Sequence, residues 1–291
     1  MRISLIGFGQ VGQCYAQALH AAGHTLDTLC DIAPTDAMRE RAQSHQAELV
    51  TELGPWLARA DLVISAVFGH AAQDVAEAAL PLMHADADYA DFTTASPDTM
   101  QHLAQVAATQ GRRFTDVAIM GAIFIQGAGT PLLCAGTGAQ RVAEFMASTG
   151  APARAIDGVA GDAMTLKLLR SIITKGLESL SVECLVAADR KNLVPALFEV
   201  LADVDERPLT TFMQAMVRSH VVHAERRLVE VQEARQQLHD DALEPLVLDG
   251  VERLFARTAS ALATQRGERT AAIPDSLQSC LTWLAPLAQR A

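Results

Sequence analysis

A glycine-rich turn is the first group of residues whose types and spacing could do chemistry. Residues 7–12 read GFGQVG, which is the GxGxxG spacing that binds the pyrophosphate of a dinucleotide when it lies between a strand and a helix. Gly7 allows a tight turn, Gly9 lets the backbone approach a phosphate, and Gly12 lets helix and strand pack closely. A strand pattern precedes the turn and a helical pattern follows it, so the turn predicts dinucleotide binding at a helix N-terminus.

Asp31 ends the next predicted strand and could select the cofactor. Its carboxylate could accept hydrogen bonds from the adenosine ribose and would repel a 2′-phosphate, which favours NAD, with NADP still possible. An ordinary turn residue is the alternative interpretation, and Arg39 and Arg41 follow on the next predicted helix. The predicted cofactor-binding residues are Gly7, Phe8, Gly9, Gln10, Val11, Gly12, Asp31, Val67, Phe68 and Thr93.

Lys167 is the candidate general acid and base. It stands in an apolar stretch, and burial disfavours the ammonium form, which brings the pKa of the amine toward the working range. The amine could then take the proton of a substrate hydroxyl while hydride leaves carbon for a nicotinamide. At 100° per residue, Ser171 and Thr174 share its helix face and could orient the amine or the substrate. A lysine that reaches solvent or pairs with an acidic side chain is the alternative.

Two loops between predicted strands offer further ligand contacts. The first, at residues 91–97, reads DFTTASP, and its hydroxyl residues can cap a helix or face a ligand at the carboxyl ends of the strands. The second contains Gly121-Ala122 and the run GAGTP at residues 127–131. Glycines this dense indicate either close approach to a ligand or a hairpin turn, and the sequence leaves both open.

The elements that must position these residues follow a strand–helix alternation, which predicts a parallel sheet covered by helices. After about Gly158 no strand pattern recurs, and one long apolar-periodic stretch runs from Asp162 to Asn192. The sequence therefore predicts an α/β fold class, with a Rossmann dinucleotide-binding domain over residues 1–158 and an all-helical domain over residues 159–291. The predicted strands are Ile3–Ile6, Thr25–Cys30, Leu62–Val67, Tyr89–Phe92, Phe114–Ile119 and Pro131–Ala135.

Composition excludes several classes of protein. The 23 Lys and Arg against 34 Asp and Glu give a net charge of −11, and aromatic residues make up 4%, which argues against nucleic-acid binding. No apolar run approaches the ~20 residues of a membrane span. Five cysteines without a CxxC pair argue against a disulfide scaffold or a zinc site, and we expect no metal. No signal-type run follows Met1, so we expect a cytoplasmic protein.

Together these motifs resemble the β-hydroxyacid dehydrogenase family, relatives of 3-hydroxyisobutyrate and 6-phosphogluconate dehydrogenases. The resemblance rests on GFGQVG, the DFTTASP loop, the stretch DVAIMGA at residues 116–122 followed by GAGTPLL, and Lys167. It implies a Rossmann domain followed by a helical domain, dimerisation through the helices, and Lys167 as the catalytic acid and base. The helical domain, sometimes from the partner subunit, closes the substrate pocket in this family.

The sequence departs from the family pattern at two places. The family's Ser-Gly-Gly, which helps hold a substrate carboxylate, is replaced by Met120-Gly121-Ala122. The Asn that follows the lysine in the family is absent, and Arg170 and Ser171 occupy that region. The stretch KLLRSIITKG at residues 167–176 instead resembles a less characterised, phosphogluconate-dehydrogenase-like branch. The hydride chemistry therefore transfers better than the identity of the substrate.

A second cluster comprises His220, His223, Arg227 and Glu230, which helical spacing places on one face. It could bind an acidic substrate, or it could be a solvated polar face, and it lacks a third ligand for a metal. With the catalytic pair Lys167 and Ser171, the predicted substrate-binding residues are Thr94, Met120, Gly121, Ala122, Thr174 and His223.

The sequence thus predicts an NAD(P)-dependent oxidoreductase that acts on a small anionic hydroxy acid or its oxo form, with a homodimer as the expected assembly. An imine-reductase-like enzyme is one alternative, although such enzymes typically lack a lysine at this place. A sensor or structural dimer that binds the cofactor without turnover is the other alternative.

Overall fold

The structure is a computed structural model that describes residues 1–267 and 274–289. The chain divides into two compact units, Met1–Ile172 and Ile173–Ala291. This division falls inside one long helix, which begins in the first unit and continues in the second. The boundary predicted at residue 158 marks the place where the strand pattern ends, and as a domain boundary it stays a prediction.

The first unit is built on an eight-stranded sheet. Its strands are β1 Arg2–Ile6, β2 Thr25–Cys30, β3 Glu48–Val50, β4 Leu62–Ser65, β5 Asp88–Asp91, β6 Arg113–Ile119, β7 Leu132–Ala135 and β8 Ala153–Ala155. The strand order is β3-β2-β1-β4-β5-β6-β7-β8, and every neighbouring pair is parallel except β6 and β7. The order reverses between β1 and β4, which is where open α/β sheets bind ligands.

Helices cover both faces of this sheet. They are α1 Gln10–Ala21, α2 Asp36–Ser44, α3 Ala72–Ala79, α4 Pro97–Thr109, α5 Ile123–Gln126 and α6 Ala139–Ser148. Alternate residues of each strand point to opposite faces, so Leu62 and Ile64 join the core under α1 and α6, whereas Val63 joins the core under α3 and α4. Ser96 caps α4 by accepting from the backbone N–H of Thr99 at 3.1 Å.

In the second unit, the described secondary-structure elements are all helices. Its elements are the continuation of α7 Asp162–Arg190, then α8 Val194–Val200, α9 Ala202–Asp205, α10 Leu209–Asp240, α11 Leu246–Gly267 and α12 Leu277–Ala288. A small core joins the last three helices through Val221, Ala224, Leu262 and Cys280. Among the described residues no helix has both the length and the apolar character that crossing a membrane requires.

The predicted fold class is confirmed. The structure adds two strands that the sequence analysis did not identify, and it shows that one strand runs antiparallel to its neighbour. β3 and β8 have three residues each and lie at the sheet edges, which is too short for a visible alternation of apolar and polar residues. β7 runs antiparallel to β6 because the chain returns directly through the loop between them instead of crossing over in a long helix.

Candidate active site

The turn after β1 is held by contacts that leave no room for side chains. Gly7 has φ +88°, and a Cβ at this position would lie 2.6 Å from the carbonyl oxygen of Ala66, in the loop after β4. A Cβ on Gly12 would collide with the carbonyl oxygen of Gly7. These two glycines therefore bring β1, α1 and the loop after β4 into main-chain contact, as the GxGxxG interpretation requires.

Gly9 stands in the opposite situation, because no described atom lies within 4 Å of the position that a Cβ would take. Gly9 precedes the first residue of α1, and no side chain in the described part of the protein caps this helix N-terminus. The backbone N–H groups of the first turn are thus free to meet an anion. Open space over an uncapped helix fits the pyrophosphate of a dinucleotide.

The rest of the turn is fixed from both sides. The side-chain amide of Gln13 donates to the carbonyl oxygen of Phe8 at 2.9 Å, which ties the first turn of α1 to the loop. Phe8 is buried and Val11 packs against the same core, whereas Gln10 is exposed. Of the predicted cofactor residues in this turn, Phe8 and Val11 thus shape it from below, and Gln10 lies on its surface.

Asp31 joins the end of β2 to the glycine turn. Its Oδ2 accepts from the backbone N–H of Phe8 at 2.9 Å, and its Oδ1 accepts from the backbone N–H of Ala33 at 3.0 Å. A carboxylate has about four acceptor positions, so each oxygen retains capacity for a ribose hydroxyl. The turn-residue and ribose-binding interpretations are therefore compatible, because Asp31 braces the turn with bonds that do not exhaust its acceptors.

The loops after β4 and β5 contact each other at the same edge of the sheet. A Cβ on Gly69 would collide with the carbonyl oxygen of Thr94, so the two loops meet through their backbones. Phe68, in the loop after β4, is 79% exposed and stacks on His70 with ring centroids 5.8 Å apart. Val67 beside it is half-buried. An exposed ring next to the glycine turn can cover an aromatic part of a cofactor.

Lys167 lies on the first turns of α7 and contacts the loop after β5. Its Nζ donates to the hydroxyl oxygen of Thr94 at 2.8 Å, and the lysine is half-buried. Burial lowers the pKa of Lys167, while the negative charge of Asp116 acts in the opposite direction. The structure therefore brings together the predicted acid and base and one predicted substrate-binding hydroxyl.

The hydroxyl of Ser171, predicted to orient the amine or the substrate, contacts the helix backbone in this structure, and its role at the site stays a prediction. Its hydroxyl donates to the main-chain carbonyl oxygen of Lys167 at 3.0 Å, which is the bond that serine commonly makes one turn back along a helix. The proton of this hydroxyl is thus engaged with the helix backbone. Thr174 is exposed on the part of α7 that belongs to the second unit.

The loop after β6 combines a return turn with exposed apolar residues. Met120 donates its backbone N–H to the carbonyl oxygen of Pro131 at 2.8 Å, which favours the hairpin interpretation of the glycines between them. Gly121 is exposed and Ala122 is half-buried at the start of α5. The side chain of Met120 packs against a small core that includes Met164 of α7. Gly121 and Ala122 therefore remain accessible, whereas Met120 serves packing.

Two buried carboxyl groups near Lys167 received no role in the sequence analysis. Asp91 ends β5 and accepts from the backbone N–H of Thr93 at 2.8 Å, and Thr93 itself is buried. Asp116 lies on β6 and accepts from the backbone N–H groups of Gly161 and Met164, at 2.9 and 3.1 Å. The available signal was an Asp within each of two predicted strands, near the end of the first and in the middle of the second.

Burial dominates the electrostatics of both carboxyl groups. It raises the pKa of Asp91 to about 7; the bonds from Thr93 lower that pKa, and the charge of Asp116 raises it further. Burial also raises the pKa of Asp116, against the backbone N–H bonds from α7 and the positive charge of Lys167. A carboxyl group with a pKa of about 7, as at Asp91, can hold a proton near neutral pH.

The predicted histidine cluster is divided between packing and surface. His220 shares a hydrogen bond of 2.9 Å with the hydroxyl of Thr258, and its ring meets Phe255 edge-on at 4.6 Å. Burial, followed by nearby Arg227 and Arg257, lowers the pKa of His220. His220 therefore helps to pack α10 against α11, which is a role that helical spacing alone does not reveal.

The remaining members of this cluster do not form one cationic face. Arg227 donates to the hydroxyl of Ser219, and Glu230 pairs with Arg226, while His223 is exposed. Within residues 1–267 and 274–289, no three His, Cys, Asp or Glu side chains are grouped in a way that could hold a metal ion.

The comparison with protein families matches two parts of the chain. Residues 2–161 match the family described as the NAD binding domain of 6-phosphogluconate dehydrogenase. Residues 188–258 match a domain of unknown function, DUF1932. The first match covers the glycine turn, Asp31 and the loops after β4, β5 and β6, and the second covers α8, α9 and the whole of α10 in the helical unit.

Individual relatives match most of the length of the chain. An uncharacterized 28.5 kDa protein from Methanothermus fervidus is 25% identical over 255 residues, which cover 88% of this chain and 98% of the relative. The conserved protein MTH1747, described as structurally similar to 3-hydroxyacid dehydrogenases, is 26% identical with a TM-score of 0.61, covering 90% of this chain and 98% of that one.

An imine reductase from Aspergillus terreus, solved with NADPH4 and dibenz[c,e]azepine, is similar in fold. Its TM-score is 0.73 at 18% identity, and the match covers 97% of this chain and 98% of that one. Identity this low shows a shared fold alone.

Proposed function

The chain belongs to the family of the NAD binding domain of 6-phosphogluconate dehydrogenase, and from this we propose that it catalyses hydride transfer between NAD(P) and a small hydroxy acid or its oxo form. The observation that carries the proposal is the hydrogen bond from Lys167 to Thr94, at the same sheet edge as the glycine turn. A proton donor and a cofactor-binding turn at one edge are the two parts that this reaction needs.

The residues present fit a nicotinamide cofactor. The N-terminus of α1 and the open space at Gly9 would hold the pyrophosphate, and Asp31 would accept from the ribose hydroxyls. Phe68, Val67 and the backbone near Thr93 would line its path along the edge. When bound, the nicotinamide supplies or takes up the hydride.

Lys167 moves the proton that must accompany the hydride. In oxidation its neutral amine accepts the hydrogen of the substrate hydroxyl, and in reduction its ammonium returns a proton to the carbonyl oxygen. Because the Nζ of Lys167 donates to Thr94, the Thr94 hydroxyl keeps its own hydrogen to donate to a substrate oxygen. Thr94 thereby orients the oxygen on which the proton transfer occurs.

The acidic group of the substrate would lie against the loop after β6. The accessible backbone at Gly121 and Ala122 and the hydroxyl of Thr94 would bind it, with Lys167 supplying positive charge nearby. The loops that follow β1, β4, β5 and β6 contain no Lys or Arg in the sequence, so this arrangement suits a small substrate with one anionic group.

The test combines cofactor binding with turnover. We expect purified protein to bind NADH, read by nicotinamide fluorescence, and to oxidise or reduce members of a hydroxy-acid and oxo-acid panel. Lys167→Ala should lower kcat by about 10²- to 10⁴-fold with little change in NADH affinity, since the lysine acts on the proton. Lys175→Ala is the matched control, because this exposed lysine on the same helix pairs with Glu178.

The outcomes separate the alternatives. Wild-type turnover in Lys167→Ala would contradict the proposed acid and base. Turnover of cyclic imines without turnover of any hydroxy acid would identify an imine reductase. Cofactor binding without turnover on either panel would identify a sensor or structural protein.

We further propose a homodimer that forms through α7. Leu180, Val182 and Val186 of this helix are at least 40% exposed, and Leu180 lines an open, apolar cavity of about 440 Å³ in the second unit. Exposed apolar residues repeated along one long helix are typical of a buried subunit interface. Light scattering should give twice the chain mass, and Val182→Glu should give monomers, whereas a monomeric wild type would contradict the assembly.

A further inference from the structure

The carboxyl groups of Asp91 and Asp116 lie side by side in the sheet. The two residues are register partners in the parallel pair β5 and β6, so their side chains leave the same face of neighbouring strands. Both side chains are buried. Oδ2 of Asp91 and Oδ1 of Asp116 are buried atoms that find no hydrogen-bond partner among the described residues.

Asp116 connects this pair to the helix that carries the proposed acid and base. Its other oxygen, Oδ2, accepts from Gly161 and Met164, which are at the N-terminus of α7. Lys167 follows Met164 by three residues, and residues three apart lie on one face of a helix. The carboxyl group that anchors α7 to the sheet therefore lies next to the turn that holds Lys167.

We propose that Asp91 and Asp116 share a single proton, held on Asp91, and that the remaining negative charge on Asp116 positions Lys167 and stabilises its ammonium form. This inference rests on the proposed function for its consequence on turnover, but the shared proton is a property of the protein alone. Asp91 and Asp116 are positioning residues, since they act through Lys167 and do not touch the reacting atoms.

One proton satisfies both unpartnered oxygens. Protonated Asp91 donates from Oδ2 to Oδ1 of Asp116, so each buried oxygen gains a partner and only one negative charge remains. Two ionised carboxylates on register partners of neighbouring strands, out of water, would repel each other strongly. The proton belongs on Asp91 because Asp116 has two backbone N–H donors and the positive charge of Lys167, whereas the backbone N–H and the side chain of Thr93, which stabilise the Asp91 carboxylate, carry no positive charge.

The other titratable groups around the pair leave this assignment unchanged. Burial raises the pKa of Tyr89, on β5, well above its usual value, and raises that of Cys134, on β7, to about 12, so both are neutral. Asp162, on α7, accepts from the backbone N–H of Val159 and adds negative charge near Asp116. Lys167 is then the positive charge that faces Asp116 from α7.

Infrared spectroscopy of the unliganded protein tests the proton directly. We expect a buried carboxylic-acid C=O band at pH 6 that fades as the pH rises through about 7 and that is missing in Asp91→Asn. Asp88→Asn is the matched control, because Asp88 is a buried carboxylate at the opposite end of β5 that pairs with Arg113 and Arg141. A wild-type spectrum without that band at pH 6 would overturn the proposal, even if Asp91→Asn fails to fold.

The effect on Lys167 is tested by pH profiles of turnover. Asp116→Asn removes the negative charge, so the pKa of Lys167 should fall, and the rising limb of oxidation should move to lower pH by about one unit. A purely structural role would lower kcat without moving that limb, and that result would overturn the link to Lys167. If no substrate is turned over while the infrared band is present, the proposed function fails and the shared proton stands.

Discussion

Lys167 and Thr94 are 73 positions apart in the sequence, and their side chains meet in a hydrogen bond of 2.8 Å. The bond joins the first turns of α7 to the loop after β5, beside the glycine turn. It holds the amine at the sheet edge where a hydride acceptor would bind. In the proposed mechanism this contact positions the amine before a substrate binds, which would lower the entropic cost of proton transfer.

Removing the Thr94 hydroxyl should weaken this arrangement. Thr94→Val keeps the shape of the side chain but deletes the acceptor of the Lys167 bond, and we expect kcat to fall by about 10- to 100-fold. Thr94→Ser restores a hydroxyl and should recover most of the rate. Thr109→Val changes an exposed hydroxyl at the end of α4 and should leave steady-state turnover unchanged. Equal rates in Thr94→Val and the wild type would show that the hydroxyl is dispensable.

Gly9 should discriminate cofactor binding from folding. Gly9→Ala adds a methyl group where no described atom lies within 4 Å, so the melting temperature should change little. The same methyl group would occupy the space proposed for the pyrophosphate, and we expect NADH affinity to fall at least about tenfold. Gly250→Ala, at an open position in α11, is the control and should bind NADH normally. Normal affinity in Gly9→Ala would place the phosphates elsewhere.

Asp31 should set the preference between the two nicotinamide cofactors. We expect the wild type to bind NADH more tightly than NADPH, because the carboxylate repels a 2′-phosphate. Asp31→Asn keeps an acceptor for the Phe8 N–H and removes the charge, so the ratio of the two affinities should shift toward NADPH by about tenfold. Parallel fluorescence titrations measure this ratio. An unchanged ratio would indicate that Arg39 or Arg41, and not Asp31, sets the preference between NADH and NADPH.

The raised pKa of Asp91 should appear in the pH dependence of stability. Between the ~3.9 of an unfolded Asp and about 7, the folded state holds a proton that the unfolded state has released. The free energy of unfolding should therefore fall as the pH rises through this window, by at most about 1.4 kcal/mol per pH unit. The fall should be absent from Asp91→Asn, so urea titrations of both proteins at pH 5, 6 and 7 measure the difference. Parallel curves would mean that Asp91 is ionised in the folded protein.

Much of the first unit could be predicted because its signals are local. GFGQVG between a strand and a helix specifies a turn whose glycines are fixed by contacts with the neighbouring backbone, and Thr25–Cys30 forms the strand that its apolar run predicts. Apolar periodicity from Asp162 onward likewise predicts α7. In each case the determining interactions lie within a short stretch of chain or follow from strand order.

The parts that could not be predicted depend on distant pairs. Asp91 and Asp116 become neighbours only through the register of β5 and β6, and periodicity does not report register between strands. Helical spacing places Ser171 on the face of Lys167, yet its hydroxyl bonds the helix backbone. The same spacing groups His220 with His223, although His220 bonds Thr258 of α11 and His223 is exposed.

The loops after β1, β4 and β5 touch through main-chain atoms at Gly7 and Ala66 and again at Gly69 and Thr94. Atoms that every amino acid possesses make these contacts, apart from the two glycines that must stay small. Related proteins can therefore differ in the side chains that line this edge and still keep the main-chain contacts between the loops. Substitutions at this edge can thus change which ligands it accepts, while the backbone frame of the loops stays the same.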